Sequence, residues 1–340
     1  MSSTFAVIPA GGAGTRLWPW SNQSRPKHLL DLTGSGRSLL QETYDRIAPL
    51  ADAVYILTEE RQVPMIKEQL PDARFIVEPT ARGTANALGL AAFEIAADDP
   101  QAVMVSVAAD HVIQGAGAYR DSIEAAVRVA ESGDRLVTIG LQPTYAATGF
   151  GYIRVGEREG EAYRVAEFVE KPTLVRAKEY LASGRYYWNL SMFAWRAGAF
   201  LAELEEVAPR HHAGLLQVRA GELPYAELPN EAVDYAVLER TDRLYLVPGT
   251  FEWLDVGSWA ELLDLLPGDE NGNSIDGESA VIDTHGSLIS APGKLIAAIG
   301  IEDLIVVDTD QALLILPRSR AQDVKKIVEM LRRTGKTGYL

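Results

Sequence analysis

The sequence predicts an α/β protein: a mainly parallel sheet flanked by helices over residues 1–268, then a small all-β unit with a closing helix over 274–340. Three observations carry this reading. Short apolar, β-rich runs alternate with segments of helical spacing through the first third, the pattern of strands joined by crossover helices. A polar, turn-rich stretch, Asp269–Asn273, then marks a change in composition and reads as a linker. Beyond it, apolar runs separated by turn-formers replace the helical spacing.

In chain order, Thr4–Pro9 reads as a strand, followed by a long Gly-rich connection and a helix over Leu39–Ile47. Ala53–Leu57 reads as a buried strand, Glu59–Leu70 as an amphipathic helix, Arg74–Val77 as a strand and the alanine-rich Thr84–Ala97 as a helix. Strand Ala102–Val107, helix Ala118–Ser132 and strand Arg135–Ile139 complete the alternation, which implies a parallel sheet covered on both faces. The middle is less regular: strands at Tyr152–Val155, Arg164–Val169 and Ser191–Trp195, a helix at Leu174–Leu181, helical spacing from Ala199 to Arg240, and a strand at Leu244–Val247. In the last part AVID, SLIS, KLIAAIG, LIVVD and ALLIL are short strands, punctuated by His285–Gly286, Pro292–Gly293 and Asp308–Asp310. An amphipathic helix over Ala321–Arg332 follows.

Composition narrows the function. With 47% hydrophobic and 23% charged residues, 340 residues suffice for a substantial core. A formal charge of −15 argues against a nucleic-acid partner and requires any anionic substrate to be met by a local positive cluster. The absence of cysteine excludes disulfides and thiolate metal sites. The start MSSTFAVIPAGG lacks the basic region of a signal peptide, and no run approaches the ~18 apolar residues of a membrane helix, so a cytoplasmic protein is expected.

The most informative stretch is Ala10-Gly11-Gly12-Ala13-Gly14-Thr15-Arg16, directly after the first strand. Closely spaced glycines let backbone N–H groups approach an anion, and a loop at this end of an open α/β sheet is where ligands bind. A tight turn that binds nothing is the plainer alternative. Neither GxGxxG nor GxxxxGK[ST] is present, which disfavours a dinucleotide-dependent oxidoreductase and a P-loop.

The run GGAGTRLWPWSNQSRPKHLLDL resembles the signature of the sugar nucleotidyltransferase family, a G-x-G-T-R loop followed by a Pro-Lys pair. Its Leu-Trp-Pro is typical of the mannose-1-phosphate guanylyltransferase branch. The resemblance continues in order through EPTARGTANALGLAA, VSVAADHVI, PTYAATGFGYI, FVEKP, YYWNLSMFAW, DYAVLER, FEWLDVGSW and the β tail ending in KKIV, covering essentially the whole chain. It implies a Rossmann-like nucleotidyltransferase fold with a β-helix-like tail, and transfer of GMP from GTP to mannose 1-phosphate with release of pyrophosphate. It further implies that Ala10, Gly11, Gly12, Gly14 and Thr15 wrap the nucleotide phosphates, while Arg16 and Lys27 bear on the α-phosphate or the departing pyrophosphate. Arg25 nearby suits a surface role equally well.

Asp110 ends an apolar run and could simply cap a turn; Asp255 is a second acid in a similar apolar setting. The resemblance makes them the ligands of Mg2+, a hard cation that suits two carboxylates and phosphate oxygens. Glu78 is the candidate partner for the guanine N1–H and N2–H donors; a helix-flanking surface acid is the alternative. The same segment implies nucleotide contacts at Gly83, Thr84 and Asn86. Glu170 and Lys171 alone would read as an exposed ion pair; the resemblance makes Lys171 the cation for the sugar phosphate and Glu170 an acceptor for a sugar hydroxyl. Gly149 and Gly151 would pass close to the pyranose, and Asn189 resembles the sugar-binding asparagine.

Three segments depart from the family's usual wording. R-N-T-A-P is here Arg82-Gly83-Thr84-Ala85-Asn86, with a glycine like that of thymidylyl- and uridylyl-transferring relatives. Glu-Thr-Gly-Tyr-Gly is Ala147-Thr148-Gly149-Phe150-Gly151, and Trp-Asn-Ser-Gly is Trp188-Asn189-Leu190-Ser191. A different hexose-1-phosphate nucleotidyltransferase, or a non-catalytic nucleotide-sugar sensor, therefore stays open as an alternative. Longer relatives carry an isomerase domain for which 340 residues leave no room, so a monofunctional enzyme is expected. The β tail resembles an oligomer-contact segment, and LIVVD and ALLIL would leave apolar edges if unpaired, so a homodimer is expected.

Overall fold

A computed structural model of the chain describes residues 2–12 and 14–340; Ala13 of the glycine loop lies outside the described residues. By its contacts the chain forms two compact units. One comprises the residues up to Gly11, Thr43–Ala109 and Ile113–Glu252; the other comprises Gly12–Glu42, Asp110–Val112 and Trp253–Leu340.

The strands are β1 (Thr4–Pro9), β2 (Ala53–Glu59), β3 (Arg74–Glu78), β4 (Val103–Ser106), β5 (His111–Gln114), β6 (Leu136–Leu141), β7 (Tyr152–Glu159), β8 (Ala162–Val169), β9 (Tyr186–Arg196), β10 (Leu244–Pro248), β11 (Glu252–Asp255), β12 (Ser274–Ile282), β13 (Leu288–Ile299), β14 (Leu304–Asp308) and β15 (Leu313–Pro317). The helices are α1 (Leu39–Ile47), α2 (Val63–Gln69), α3 (Gly83–Asp98), α4 (Ala116–Glu131), α5 (Leu174–Ser183), α6 (Ala197–Val207), α7 (Pro209–Arg219), α8 (Trp259–Leu265) and α9 (Val324–Arg333).

In the first unit the described residues form a nine-stranded sheet in the order β3-β2-β1-β4-β9-β6-β10-β8-β7. All its strands but β8 and β9 run in one direction, the mainly parallel sheet that the alternating pattern predicts. β1 lies between β2 and β4, so both flanks are paired and its Ala6, Val7 and Ile8 are fully buried. The core of this unit combines Val7, Leu57 and Met104 from the sheet with α3, Trp195 and Phe200. The alanine and glycine content of α3 has a packing reason. A Cβ on Gly89 would meet Leu215 and Leu204, so a small residue lets neighbouring helices approach. α5 is bounded by its own sequence: Thr173 caps it by accepting from the Arg176 N–H at 3.5 Å, and Gly184 stops it at φ 63°.

The second unit has its own core of Leu17, Trp18, Leu30, Leu39, Val256 and Trp259 with Leu288, Ile305, Val307 and Val328. The segment Leu17–Leu39 thus packs with the C-terminal strands. Trp259 donates its indole N–H to the Trp18 carbonyl at 3.0 Å, and Trp18 donates its own to the Tyr339 carbonyl at 2.7 Å. Strands β12, β13 and β14 pair in parallel succession and β15 returns antiparallel, the β-helix-like unit that the resemblance implies.

Two of the local expectations that differ from the structure lie in the C-terminal part. SLIS and KLIAAIG form one strand, because Pro292–Gly293 makes a corner inside β13 where the register against β12 shifts between Asp276 and Glu278. Asp269–Asn273 is a tied turn: the Asp269 carboxylate accepts from the Asn271 and Asn273 N–H groups at 2.9 and 2.8 Å, and the Asn273 amide donates to the Thr284 carbonyl at 2.8 Å.

Candidate active site

The second unit gathers the charged groups that a phosphate would meet. Gly14 holds φ 63°, a left-handed conformation, and a Cβ there would come under 3.0 Å from the Lys27 Cβ. Both conditions demand glycine, and together they set the loop against the lysine. Ser21 donates its hydroxyl to the Gly14 carbonyl. Thr15, Arg16 and Leu17 form a short 3₁₀ turn in which Leu17 is buried and Arg16 exposed.

Lys27 is 5% exposed, and its Nζ donates to Asp110 Oδ2 at 2.9 Å and to Asp255 Oδ1 at 3.2 Å. Burial pushes its pKa down, but the two carboxylates outweigh this and hold it above the ordinary lysine value. Burial would raise the Asp110 carboxyl, yet Lys27, His111 and His28 prevail and lower it to about 2. The Asp110 and Asp255 side chains remain 39% and 31% exposed, so neither carboxylate is sealed away. An ammonium has three N–H donors, two of which are placed here.

Arg16 reaches the same place. A Cβ on Gly257 would lie 3.4 Å from its Nη1 and 3.1 Å from Glu261 Oε2, so both side chains border the turn after Asp255. Arg16 makes no ion pair among the described residues, whereas Arg25 lies exposed in the Asn22–Arg25 turn. Glu261 escaped the sequence reading, although Ser258-x-x-Glu261 has the spacing of a helix capping box. Its carboxyl is raised by burial and by the Asp255 charge.

Two hard oxygen donors converging on one cation fit a divalent ion that keeps water and phosphate ligands. Among the described residues no group of three or more His, Asp or Glu side chains makes a ready-made cage.

The first unit holds the other predicted residues. The Ala10 N–H donates to the Leu57 carbonyl at 2.8 Å and its carbonyl accepts from Thr58 Oγ1 at 2.8 Å, while the Gly11 carbonyl accepts from Gln62 Nε2 at 3.0 Å. The loop therefore leaves β1 with its carbonyls tied back. Gly12, where the second unit begins, is exposed, with open space where a Cβ would stand.

At the end of β3, Glu78 is buried at 6% exposure and accepts from the Tyr225 hydroxyl at 2.7 Å. Burial raises its carboxyl above the ordinary range. It is thus a held internal acid, neither surface-exposed nor freely presented. Gly83 sits at φ 77°, and a Cβ there would collide with the Glu231 backbone. Its identity follows from this contact. Thr84 accepts from the Val233 N–H at 2.9 Å.

Asn86, expected at the nucleotide, has its side chain engaged by the protein itself. It is fully buried, its amide donates to the Arg82 and Pro229 carbonyls at 2.6 Å each, and its Oδ1 is met by His211 Nδ1 at 2.9 Å. Each polar atom of the side chain thus has a partner within the fold.

Around the sugar-side motifs, a Cβ on Gly151 would strike Glu170 Oε2 and approach the Asn189 Cβ, so these three residues meet. Lys171 pairs with Glu170, and its own side chain is 55% exposed. Among the described residues Glu170 Oε2 is buried without a hydrogen-bond partner, and burial, then the charge of Asp234, raises its carboxyl. Asn189 donates to Asp234 Oδ1 at 2.9 Å and accepts from Thr138 Oγ1 and the Ser191 N–H at 3.2 Å each. The last bond steadies Ser191 at φ 52°, where the family's usual wording has glycine. Gly149 is exposed and open. Asp234 lies within the quoted DYAVLER motif, yet only the fold brings it to Asn189.

Two family models match the chain: one described as nucleotidyl transferase over residues 5–272, and a mannose phosphate isomerase/GMP-like β-helix domain over residues 277–331. Mannose-1-phosphate guanylyltransferases of Klebsiella pneumoniae and Escherichia coli are each 40% identical over 355 residues, with 98% of this chain and 75% of the relative covered. A crystal structure described as a mannose-1-phosphate geranyltransferase from Thermus thermophilus is 34% identical, covering 97% of this chain and 99% of that one, with a TM-score of 0.89.

Proposed function

The chain belongs to the nucleotidyl transferase family, and from that premise we propose that it is a mannose-1-phosphate guanylyltransferase, forming GDP-mannose and pyrophosphate from GTP and mannose 1-phosphate. The observation that carries this reading is Lys27, buried against Gly14 of the glycine loop and bridging Asp110 and Asp255.

A phosphate oxygen of mannose 1-phosphate attacks the α-phosphorus of GTP in line; that P–O bond forms as the bond to the pyrophosphate oxygen breaks. The nucleophile is already anionic near neutral pH, its second pKa being about 6, so no side chain need remove a proton. The chain's work is alignment and charge neutralisation. Lys27 keeps one N–H for a phosphate oxygen, and the exposed Arg16 offers a planar pair of donors. The family's divalent ion is, in this proposal, Mg2+: Asp110 and Asp255 would hold it, and it would supply positive charge to phosphate oxygens. Gly11, Gly12, Gly14 and Thr15 would line the phosphates, Glu78 and the start of α3 the base, and Gly149, Glu170, Lys171 and Asn189 the sugar phosphate. Because Gly83 answers to the Glu231 backbone, its glycine does not argue for a thymine or uracil base.

Residues 1–268 would form the catalytic domain and 274–340 an appended unit, a division in step with the two family matches. A homodimer through the appended strands completes the proposal. LIVVD is paired on both sides, whereas β15 is an edge strand with Leu313 and Ile315 exposed at 57% and 60%.

The deciding assay is pyrophosphate release with Mg2+, crossing GTP, ATP, UTP and dTTP against mannose, glucose and N-acetylglucosamine 1-phosphates. Turnover confined to GTP with mannose 1-phosphate supports the reading. A different preferred pair would overturn its specificity, and no turnover from folded protein would overturn it altogether.

A further inference from the structure

His211 lies at the start of α7, 3% exposed, and belongs to none of the motifs that carry the family resemblance. Its Nδ1 faces Asn86 Oδ1 at 2.9 Å and its Nε2 faces Glu231 Oε2 at 3.2 Å. The Asn86 orientation is settled by its amide, which donates to two carbonyls, so Oδ1 must accept and Nδ1 must carry a hydrogen. The ring therefore joins Asn86 to Glu231, whose other oxygen takes Arg240 Nη2 at 3.0 Å.

What this network holds is backbone. Through Asn86 it fixes the carbonyls of Arg82 and Pro229, and through Glu231 it fixes the residue whose main chain abuts Gly83 and accepts from the Ala85 N–H at 3.3 Å. Two residues on, Val233 donates to Thr84, and Asp234 receives Asn189. Residues 229–234 thus run as a strut from the first turn of α3 to the sugar-side asparagine, with His211 as its clasp. A buried polar network of this kind is a costly way to fill space, but it fixes one geometry.

We propose that His211 is a positioning residue for the nucleotide: by clasping Asn86 to Glu231 it holds Gly83 and the first turn of α3 in the shape that receives the base. This rests on the reading of that turn as the base end. Losing a buried, charge-assisted hydrogen-bond pair that supports a binding loop is expected to weaken nucleotide binding by ~10-fold or more.

The test compares wild type with His211→Ala and His211→Asn, the latter keeping a donor toward Asn86. GTP affinity is measured by calorimetry, and kcat and both KM values by pyrophosphate release. In His211→Ala, Kd and KM for GTP should rise ~10-fold, kcat should change less than ~3-fold, and KM for mannose 1-phosphate should stay within ~3-fold. His211→Asn should recover most of the loss. An unchanged GTP affinity with lowered kcat or melting temperature would mean a structural role only and overturn the inference. If His211→Ala does not fold, Arg240→Ala decides, since it loosens Glu231 from the exposed side: a raised KM for GTP supports the clasp and an unchanged one overturns it. Wild type that binds GTP but does not turn over mannose 1-phosphate would sink the proposed reaction and leave this comparison valid.

Discussion

Gly14 and Lys27 are in contact through a position where a side chain cannot be tolerated: a Cβ on Gly14 would press onto the Lys27 Cβ at under 3.0 Å. The loop that would reach the phosphates and the lysine that would neutralise them are therefore one piece. Anything that moves the first misplaces the second.

Gly14→Ala should accordingly behave as an active-site mutation. The left-handed backbone alone costs about 1 kcal/mol for a non-glycine residue, and the clash with Lys27 adds to it. We expect a melting temperature lower by a few degrees and kcat reduced by ~10²-fold, read by calorimetry and pyrophosphate release. Wild-type kcat would show that loop and lysine move independently.

Lys27→Ala removes the cation between Asp110 and Asp255. Turnover should fall by ~10²–10³-fold, the scale of losing one preorganised charge-stabilising group. With its competitor gone, Mg2+ should raise the variant's melting temperature more than that of wild type. An equal response to Mg2+ in both proteins would count against the two aspartates as metal ligands.

Gly83→Asn restores the residue common in related base loops. Asparagine tolerates a left-handed φ, yet no Cβ fits beside the Glu231 backbone. Destabilisation of about 2 kcal/mol or more is expected, together with a raised KM for GTP and an unchanged order of preference among nucleotides. A stable variant with altered base preference would instead make Gly83 a specificity residue.

Glu78 provides a pH dependence with a definite sign. Its folded pKa is raised by burial, so the stability it contributes is present below the ordinary glutamate value and is lost as pH rises through the folded value. Glu78→Gln, which can still share a hydrogen bond with Tyr225, should match wild type in melting temperature near pH 4 and exceed it near pH 8. A gap that does not grow with pH would exclude this account.

Ile315→Lys places a charge on the exposed β15 edge. If that edge forms the proposed dimer, light scattering should give twice the 37.0 kDa chain mass for wild type and one chain mass for the variant. A monomeric wild type at working concentration would remove the dimer.

Most of the sheet was legible from local pattern. β1 and α1 begin and end where apolar spacing and turn residues place them, because burial on both faces leaves a strand like Thr4–Pro9 few polar positions. The site was legible in a different way. Lys27, Asp110 and Asp255 could be named as chemistry, but nothing local says that one ammonium touches both carboxylates across 83 and 228 residues of chain.

Asn86 shows why. Beside Gly83 and Thr84 it reads as a ligand, yet its environment comes from Pro229 and His211, far along the chain. The sequence by itself determined the alternating α/β order, the glycine loop, the family and the residue types available for phosphate chemistry. These depend on spacing, propensity and turn geometry, which act over a few residues. Only the tertiary structure decided which polar side chains stay free and which are spent on each other. Glu78 with Tyr225, Asn86 with His211 and Asn189 with Asp234 are satisfied by partners that burial forces together, because a polar group taken from water must find another wherever the fold supplies it.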